Sequence, residues 1–368
     1  MKTIKIQKSP DRAIQDVLRY LFENDKIDGV FSLIKKGNGS HVYSLITKKE
    51  LLSEIIPTFP LMPANAGKMV SQLTVLEAVK KPIAVVLRPC ELRALYELVK
   101  VEQAKLDNLL FISFTCSGVL SLKLKKDELD QKIQAYWNNI GTGELIKGLR
   151  ETCTMCTEFI PYNADIIIPL IGQSLSQETS FIMNTEKGEK YLSGMSSEQS
   201  EENIESDEIE AVRKKRTEQK KTVFSNLKLK DLGWDGMINV FGRCINCYAC
   251  TSVCPVCYCV LCYIRSEEKD KLPLSWQKRL NKNGSLRIPD DTIMYHLVRL
   301  LHVGVMCVGC GMCSDVCPTD IPIASIFTTV GEHMQETLEY KPGKDLEEPM
   351  PLAVVNPEDF EAAPIETE

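Results

Sequence analysis

The chain has 368 residues, 44% apolar and 26% charged, which suits an ordinary globular protein of two or three domains, each able to bury its own core. Its net charge of −6 argues against nucleic acid as a partner, and its longest apolar stretch, Leu109 to Leu122, is interrupted by Ser113, Thr115, Cys116 and Ser117, so no membrane span is expected. There are fifteen cysteines and no apolar secretory run between Met1 and Asp11, so a cytoplasmic, reducing setting is expected, in which thiols serve metal or redox chemistry rather than disulfides.

Along the chain, Asp11 to Glu23 has helical spacing, Asp28 to Ile34 and His41 to Ile46 read as strands, and Lys48 to Ile56 as helix. Pro82 to Leu87 is a short buried-type strand, Glu91 to Val101 a helix and Leu109 to Phe114 another buried-type strand. Asn163 to Leu170 and Ser180 to Asn184 add two strand candidates, so residues 1–193 are expected to form an α/β domain. Residues 194–225 lose apolar content: an acidic run, Glu198 to Glu210, precedes a basic one, Arg213 to Lys221, and a solvated helix or linker is expected. Residues 226–340 hold the dense cysteines. The tail, 341–368, has five prolines and eight acidic against two basic residues, which accounts for the whole net charge and predicts disorder or an extended strap.

Cys244, Cys247, Cys250 and Cys254 follow C-x2-C-x2-C-x3-C with Pro255 after the last, and Cys307, Cys310, Cys313 and Cys317 repeat it with Pro318. This is the pattern of two-cluster ferredoxins, in which a tight loop gives three thiolates to one cubane and the fourth ligand crosses from the other motif. One 4Fe-4S cluster is therefore expected on Cys244, Cys247, Cys250 and Cys317, the other on Cys307, Cys310, Cys313 and Cys254. Gly309 and Gly311 would let backbone amides approach the cluster sulfurs. Zinc fits poorly, because its sites draw on two separated cysteine pairs per ion. A long insert, Cys262 to Met306, separates the motifs and either forms a partner surface or extends the fold.

A third set lies in the α/β half: Cys90 after Arg88-Pro89, Cys116 after a strand, and Cys153 with Cys156. Loops at the carboxyl ends of sheet strands gather where ligands bind, so these four could hold a third cluster; equally, Cys90 and Cys116 could be plain buried thiols. Cys257, Cys259 and Cys262 remain, too close together to face one core, and form a possible fourth site with His296, His302 or a partner residue; the alternative is unliganded thiols.

Ile27-Asp28-Gly29-Val30, Arg88-Pro89-Cys90-Glu91-Leu92-Arg93-Ala94-Leu95, Phe114-Thr115-Cys116-Ser117-Gly118, and Cys153-x2-Cys156 running to Ala164-Asp165-Ile166 together resemble the beta-subunit family of deazaflavin (coenzyme factor 420)-reducing hydrogenases and deazaflavin-dependent formate dehydrogenases. The resemblance spans about residues 10 to 192 and implies an FAD-binding domain with a 4Fe-4S cluster on the third set. It departs from the hydrogenase subunits in carrying its ferredoxin module behind the flavin-type domain. Gly242-Arg243-Cys244-Ile245-Asn246-Cys247 is similar to formate dehydrogenase beta-type subunits that accompany heterodisulfide-reductase-like proteins. The expected fold is thus an α/β flavin-type domain plus a ferredoxin-like α+β domain. The expected function is electron relay between clusters and FAD in a larger oxidoreductase, with a formate dehydrogenase, hydrogenase or heterodisulfide-reductase-like subunit as partner. The alternative is a flavin-free conduit, since no G-x-G-x-x-G follows a strand and Gly141-Thr142-Gly143 lacks the third glycine. No catalytic side chain or flavin contact is assigned.

Overall fold

The computed structural model describes residues 2–37, 39–173, 178–195, 204–229, 233–259, 262, 273–289 and 291–351. Parts of three expected segments lie outside them: 196–203 of the acidic run, 263–272 of the insert and 352–368 of the tail.

The first half is built on a mixed sheet of β1 (Lys2–Ile6), β2 (Gly29–Lys35), β3 (His41–Ile46), β4 (Ile83–Leu87), β5 (Leu109–Phe114), β6 (Ile166–Ile168) and β7 (Thr179–Met183). Its order is β1-β7-β6-β5-β4-β2-β3. The centre, β2-β4-β5-β6, is parallel, while antiparallel pairing of β3 on β2, β7 on β6 and β1 on β7 forms the flanks. Alternate residues serve two cores: Ala84 and Val86 face one, Val85 and Leu87 the other. Both faces are covered, which is why the central strands read as continuous apolar runs. Each expected strand is present, and β1 is added to them.

Helices α1 (Pro10–Glu23), α2 (Ala66–Thr74), α3 (Pro89–Lys100), α4 (Lys126–Asn139), α5 (Glu151–Thr154) and α6 (Glu186–Leu192) accompany the sheet. Pro10 and Pro89 stand in the first turn, where a missing N–H costs no helical bond. The expected helix over 48–56 is a 3₁₀ helix, Lys49–Glu54, in which only Leu52 is buried. Helices α2 and α4 escape periodicity, for α4 buries only Tyr136 and α2 is anchored by small residues.

The charged segment becomes α7 (Asp207–Leu227), and it is not solvated all round, because Ile209, Val212, Arg216 and Val223 are buried. Next come α8 (Gly233–Phe241), α9 (Ala249–Val253), α10 (Pro273–Asn283), α11 (Thr292–Val303), α12 (Met312–Asp315) and α13 (Ile323–Thr337). This corrects the α+β expectation: among the described residues the second half has helices and loops and no strand. The chain between cysteines goes into tight turns, leaving no extended run long enough to pair. Among the described residues no helix is long and apolar enough to cross a membrane.

The proximal tail straps α3. Buried Glu97 accepts from Tyr340 Oη at 2.7 Å and from the Gly343 amide at 2.7 Å and lies 3.6 Å from Lys100, while Arg93 Nε donates to the Pro342 carbonyl at 2.9 Å. Burial raises the Glu97 carboxyl above its ordinary range, against the pull of Tyr340, the Gly343 amide, Lys100 and Arg93. Glu97→Ala would leave Tyr340 Oη and the Gly343 amide without their acceptor and remove a carboxylate partner of Lys100, at a cost of about 3 kcal/mol. Denaturant unfolding and limited proteolysis should show a less stable chain cut near residues 340–348; an unchanged midpoint and cleavage pattern would deny the strap its anchor.

Candidate iron–sulfur centres

The parallel register decides where the third cysteine set meets. Leu87 stands opposite Ser113 and Phe114 opposite Ile168, so the carboxyl ends of β4 and β5 are level. Cys90 enters the first turn of α3 just beyond β4, and Cys116 follows β5. The loop holding Cys116 is pinned by buried Thr115, whose Oγ1 accepts from the amides of Leu170 and Ile171 at 2.7 and 3.0 Å. Short α5 then delivers Cys153, with Cys156 just after it. All four thiols line one cavity, together with Arg88, Arg150, Arg216 and Cys310. The even choice that spacing left between ligand set and ordinary thiols now rests on this convergence. Four thiols from three loops on one cavity are not what unrelated core cysteines produce.

The two ferredoxin-type motifs fold as a repeat. Asn246 and Tyr248 take positive φ (55° and 55°), and Gly309 and Gly311, at the matching positions, do the same (66° and 78°). Alternating right- and left-handed residues turns successive N–H groups inward, a concavity suited to anions. Tyr248 adopts at some strain what Gly311 adopts freely. Gly311 has a second constraint, since a Cβ there would lie 2.2 Å from Thr152 Oγ1 and 2.3 Å from Arg150 Cδ. The glycine thus serves the approach of α12 to α5 as well as the turn.

Within this repeat the sulfurs accept backbone N–H groups two residues on: Cys244 from Asn246 at 3.4 Å, Cys307 from Gly309, Cys310 from Met312 and Cys254 from Val256. Cys116 does the same with Gly118 at 3.4 Å, in a different fold context. Such donors favour the anionic sulfur. Burial pushes Cys153 and Cys310 up to about 11 and Cys307 to about 12, and it raises Cys90, Cys156, Cys244 and Cys313 as well. These seven thiols hold their protons when free, so a metal must displace them on binding.

Mutual influence links thiols across the motifs. Cys244 feels Cys250, Cys247 and, from the other motif, Cys317. Cys254 in turn acts on Cys307, Cys310 and Cys313. Cys90 feels Cys310, Cys116 and Cys153, so the α/β set adjoins the second motif and not the first. Among the described residues no three His, Cys, Asp or Glu side chains converge as a single metal ion would need. Ligands of a cubane stand farther apart, because each takes its own iron.

Arginines give the sharper test of fit. Arg88, Arg216 and Arg299 are 2%, 1% and 2% exposed, and among the described residues none pairs with a carboxylate. Arg88 Nη1 lies 3.8 Å from Cys116 Sγ; Arg216 donates to the carbonyls of Cys156 and Cys116 at 3.3 and 3.1 Å, and its Nε has no partner. Arg299 donates to the Cys250 carbonyl at 3.2 Å, while its Nε and Nη1 have no partner. A buried unpaired guanidinium is costly unless an anion accompanies it. Thiolate-ligated cubanes carry negative charge, and the donor sets fit them at all three places. The spacing of cysteines pointed to none of these arginines; only Arg88 stood in a motif, beside Cys90.

Cys257 lies beside Cys254, to which it donates a hydrogen bond; that bond holds Cys254 down to about 5 and Cys257 up. Cys259 is exposed and Cys262 half-buried. His296 stacks on Phe241 at 4.6 Å and is pushed down to about 3 by burial and by Arg299, so it is a neutral core ring, whereas His302 is exposed.

The α/β half and the ferredoxin-type half meet at a buried ion pair. Arg150 Nε donates to Asp315 Oδ2 at 2.7 Å and Arg150 Nη1 to the Cys310 carbonyl at 2.7 Å; Asp315 also accepts from Ser121 Oγ at 2.8 Å. Asp315→Ala, by stranding Arg150, should cost about 3 kcal/mol, with Asp315→Asn milder because an acceptor remains. Equal unfolding midpoints for wild type and Asp315→Ala would refute this.

No family model matches the chain. It is 28% identical over 373 residues to the F420-dependent formate dehydrogenase subunit beta of Methanocaldococcus jannaschii, covering 90% of this chain and 92% of that protein. It is 30% identical over 381 residues to the F420-dependent formate dehydrogenase 1 subunit beta of Methanococcus maripaludis, covering 92% of each. Among solved structures, a chain of the F420-reducing [NiFe] hydrogenase complex from Methanosarcina barkeri is similar at 13% identity and a TM-score of 0.43, over 63% of this chain and 94% of that one. On the length and level of the match to the Methanococcus maripaludis subunit, the chain belongs to the family of F420-dependent formate dehydrogenase beta subunits.

Proposed function

We propose that the chain is the electron-relay subunit of a formate dehydrogenase-type complex, holding three 4Fe-4S clusters in a row. The row starts with Cys244, Cys247, Cys250 and Cys317, continues with Cys307, Cys310, Cys313 and Cys254, and ends with Cys90, Cys116, Cys153 and Cys156. The observation that carries the reading is the set of buried arginines without carboxylates, one or more beside each group of thiols. Cubanes, when bound, supply one-electron exchange; the protein's own residues hold them close and shield them from water. Exposed Cys247 leaves the first set open to a partner subunit, whereas no thiol of the other two sets is exposed. The row therefore leads from a surface that a catalytic subunit could approach to the end of the parallel sheet.

FAD comes from family resemblance, and the cleft beside the inner thiols does not select for it. That cleft is lined by Cys156, Cys307 and Gly309 among others. Its lysines are neutralised, Lys220 by Glu332 at 2.8 Å and Lys341 by Glu158 at 2.7 Å, and Glu336 and Glu339 add negative charge. Arg93 lines the same cleft outside any ion pair among the described residues, so charge there leaves the flavin-free conduit as the second reading without excluding a pyrophosphate. Acid extraction of anaerobically purified protein separates the two: one released FAD per chain supports the flavoprotein, none the conduit.

Iron analysis should give roughly 12 atoms per chain for three cubanes; about 16 would require a further centre at Cys257, Cys259 and Cys262, and about 8 would remove the α/β cluster. Paramagnetic resonance tests the crossed ligation. Cys317→Ala should damage the centre that also depends on Cys244 and spare the one lost in Cys310→Ala, and loss of the same signal in both variants would overturn the pairing.

A further inference from the structure

We propose that Arg299 sets the reduction potentials of both ferredoxin-type centres at once, as a single fixed positive charge shared between them. This rests on the reading that those centres are 4Fe-4S clusters. Arg299 lies on α11, inside the insert that separates the two cysteine motifs. The crossed ligand pattern does not need such an insert, and α11 sends Arg299 and Tyr295 toward the thiols. Tyr295 Oη lies 3.1 Å from Cys250 Sγ, and Arg299 Nη2 donates to the Cys250 carbonyl at 3.2 Å. One face of the guanidinium rests 4.6 Å from the Phe327 ring of α13, which dries it.

Beside its contact with the Cys250 carbonyl, the guanidinium hydrogen-bonds the Cys254 sulfur, so the charge touches both sets. Burial works against the protonated Arg299, yet the thiols of Cys254, Cys313, Cys250 and Cys257 more than offset it. Cys250 belongs to the first set; Cys254 and Cys313 belong to the second. The other arginine near the second set, Arg150, is already neutralised by Asp315. Arg299 is therefore a buried cation that, among the described residues, pairs with no carboxylate, beside groups that gain negative charge on reduction. Each reduction adds one electron from an external one-electron donor. No proton is exchanged with the guanidinium, which stays charged throughout. A cation so placed stabilises the reduced state of each cluster, and in a dry site that attraction is strong. A hydrogen-bonding or packing residue would not act on both centres in the same direction, whereas a shared charge must.

The experiment is a redox titration, read by paramagnetic resonance, of the full-length, anaerobically loaded protein. Wild type is compared with Arg299→Gln, which keeps a donor for the Cys250 carbonyl but no charge, and with Arg299→Lys, which keeps the charge. In Arg299→Gln both ferredoxin-type signals should move to more negative potential by at least about 59 mV, a tenfold fall in the reduced-to-oxidised ratio at fixed potential. The centre on Cys90, Cys116, Cys153 and Cys156 should move far less, and Arg299→Lys should stay near wild type. Full iron content in Arg299→Gln with unmoved potentials, or a shift in one ferredoxin-type centre alone, overturns the proposal. If Arg299→Gln does not load, Arg299→Lys decides: loading at wild-type potentials supports the charge, and failure to load assigns Arg299 to packing. A wild-type chain without iron would instead sink the cluster reading itself.

Discussion

Buried positive charge without a matching carboxylate is the constraint on which the rest of this protein depends. A guanidinium removed from water loses a large solvation energy, and proteins recover it with a carboxylate, a dense set of carbonyls or a bound anion. Arg150 takes the first route, through Asp315. Arg88 takes part of the second, through the carbonyls of Pro57 and Phe59. Arg216 bonds only to carbonyls of cysteine residues, Arg299 to the Cys250 carbonyl and to the sulfurs of Cys254 and Cys257, and both leave nitrogens unpartnered. The charge that would complete them is the charge that metal-bound sulfur brings, so stability and cofactor loading are expected to be coupled.

This also explains why the two halves are not separable as their compositions suggest. The cavity of the α/β thiols is closed by Cys310 and Gly309 from the second half and by Arg216 from α7 between them. Arg150 reaches from before α5 to the Cys310 carbonyl, and the tail returns to bind α3, whose first turn holds Cys90. Electron relay needs centres held at fixed short separations, and a seam made from a buried ion pair, an apposed glycine and a strap supplies that rigidity. A flexible linker between independent domains would not.

The backbone repeat carries a related lesson. Two loops of different sequence, one with Asn246 and Tyr248 and one with Gly309 and Gly311, adopt the same left-handed positions. A glycine is the free choice there, so the retention of a tyrosine at Tyr248 shows the loop shape overriding local preference. The shape serves the inward N–H groups, and the hydrogen bond that the Gly118 amide donates to the Cys116 sulfur reproduces that device where no ferredoxin motif exists.

Spacing in the sequence was enough to propose the ferredoxin-type quartets, because cysteines in short loops have a separation along the chain that sets their separation in space. Apolar runs were likewise enough for every central strand, since a sheet buried on both faces leaves continuous hydrophobic runs. The third thiol set could be seen only as residues at strand ends, and which of them meet was decided by the register of β4, β5 and β6. The arginines were invisible, since an arginine in a charged stretch such as Arg213 to Lys221 looks solvated until the helix is docked; Arg216 turns inward while Arg213 stays out with Glu205 and Glu210. Local chemistry is written in one dimension, whereas the burial of a charge and the identity of its neighbours depend on contacts between residues as distant as Arg216 and Cys116, and those exist only after folding.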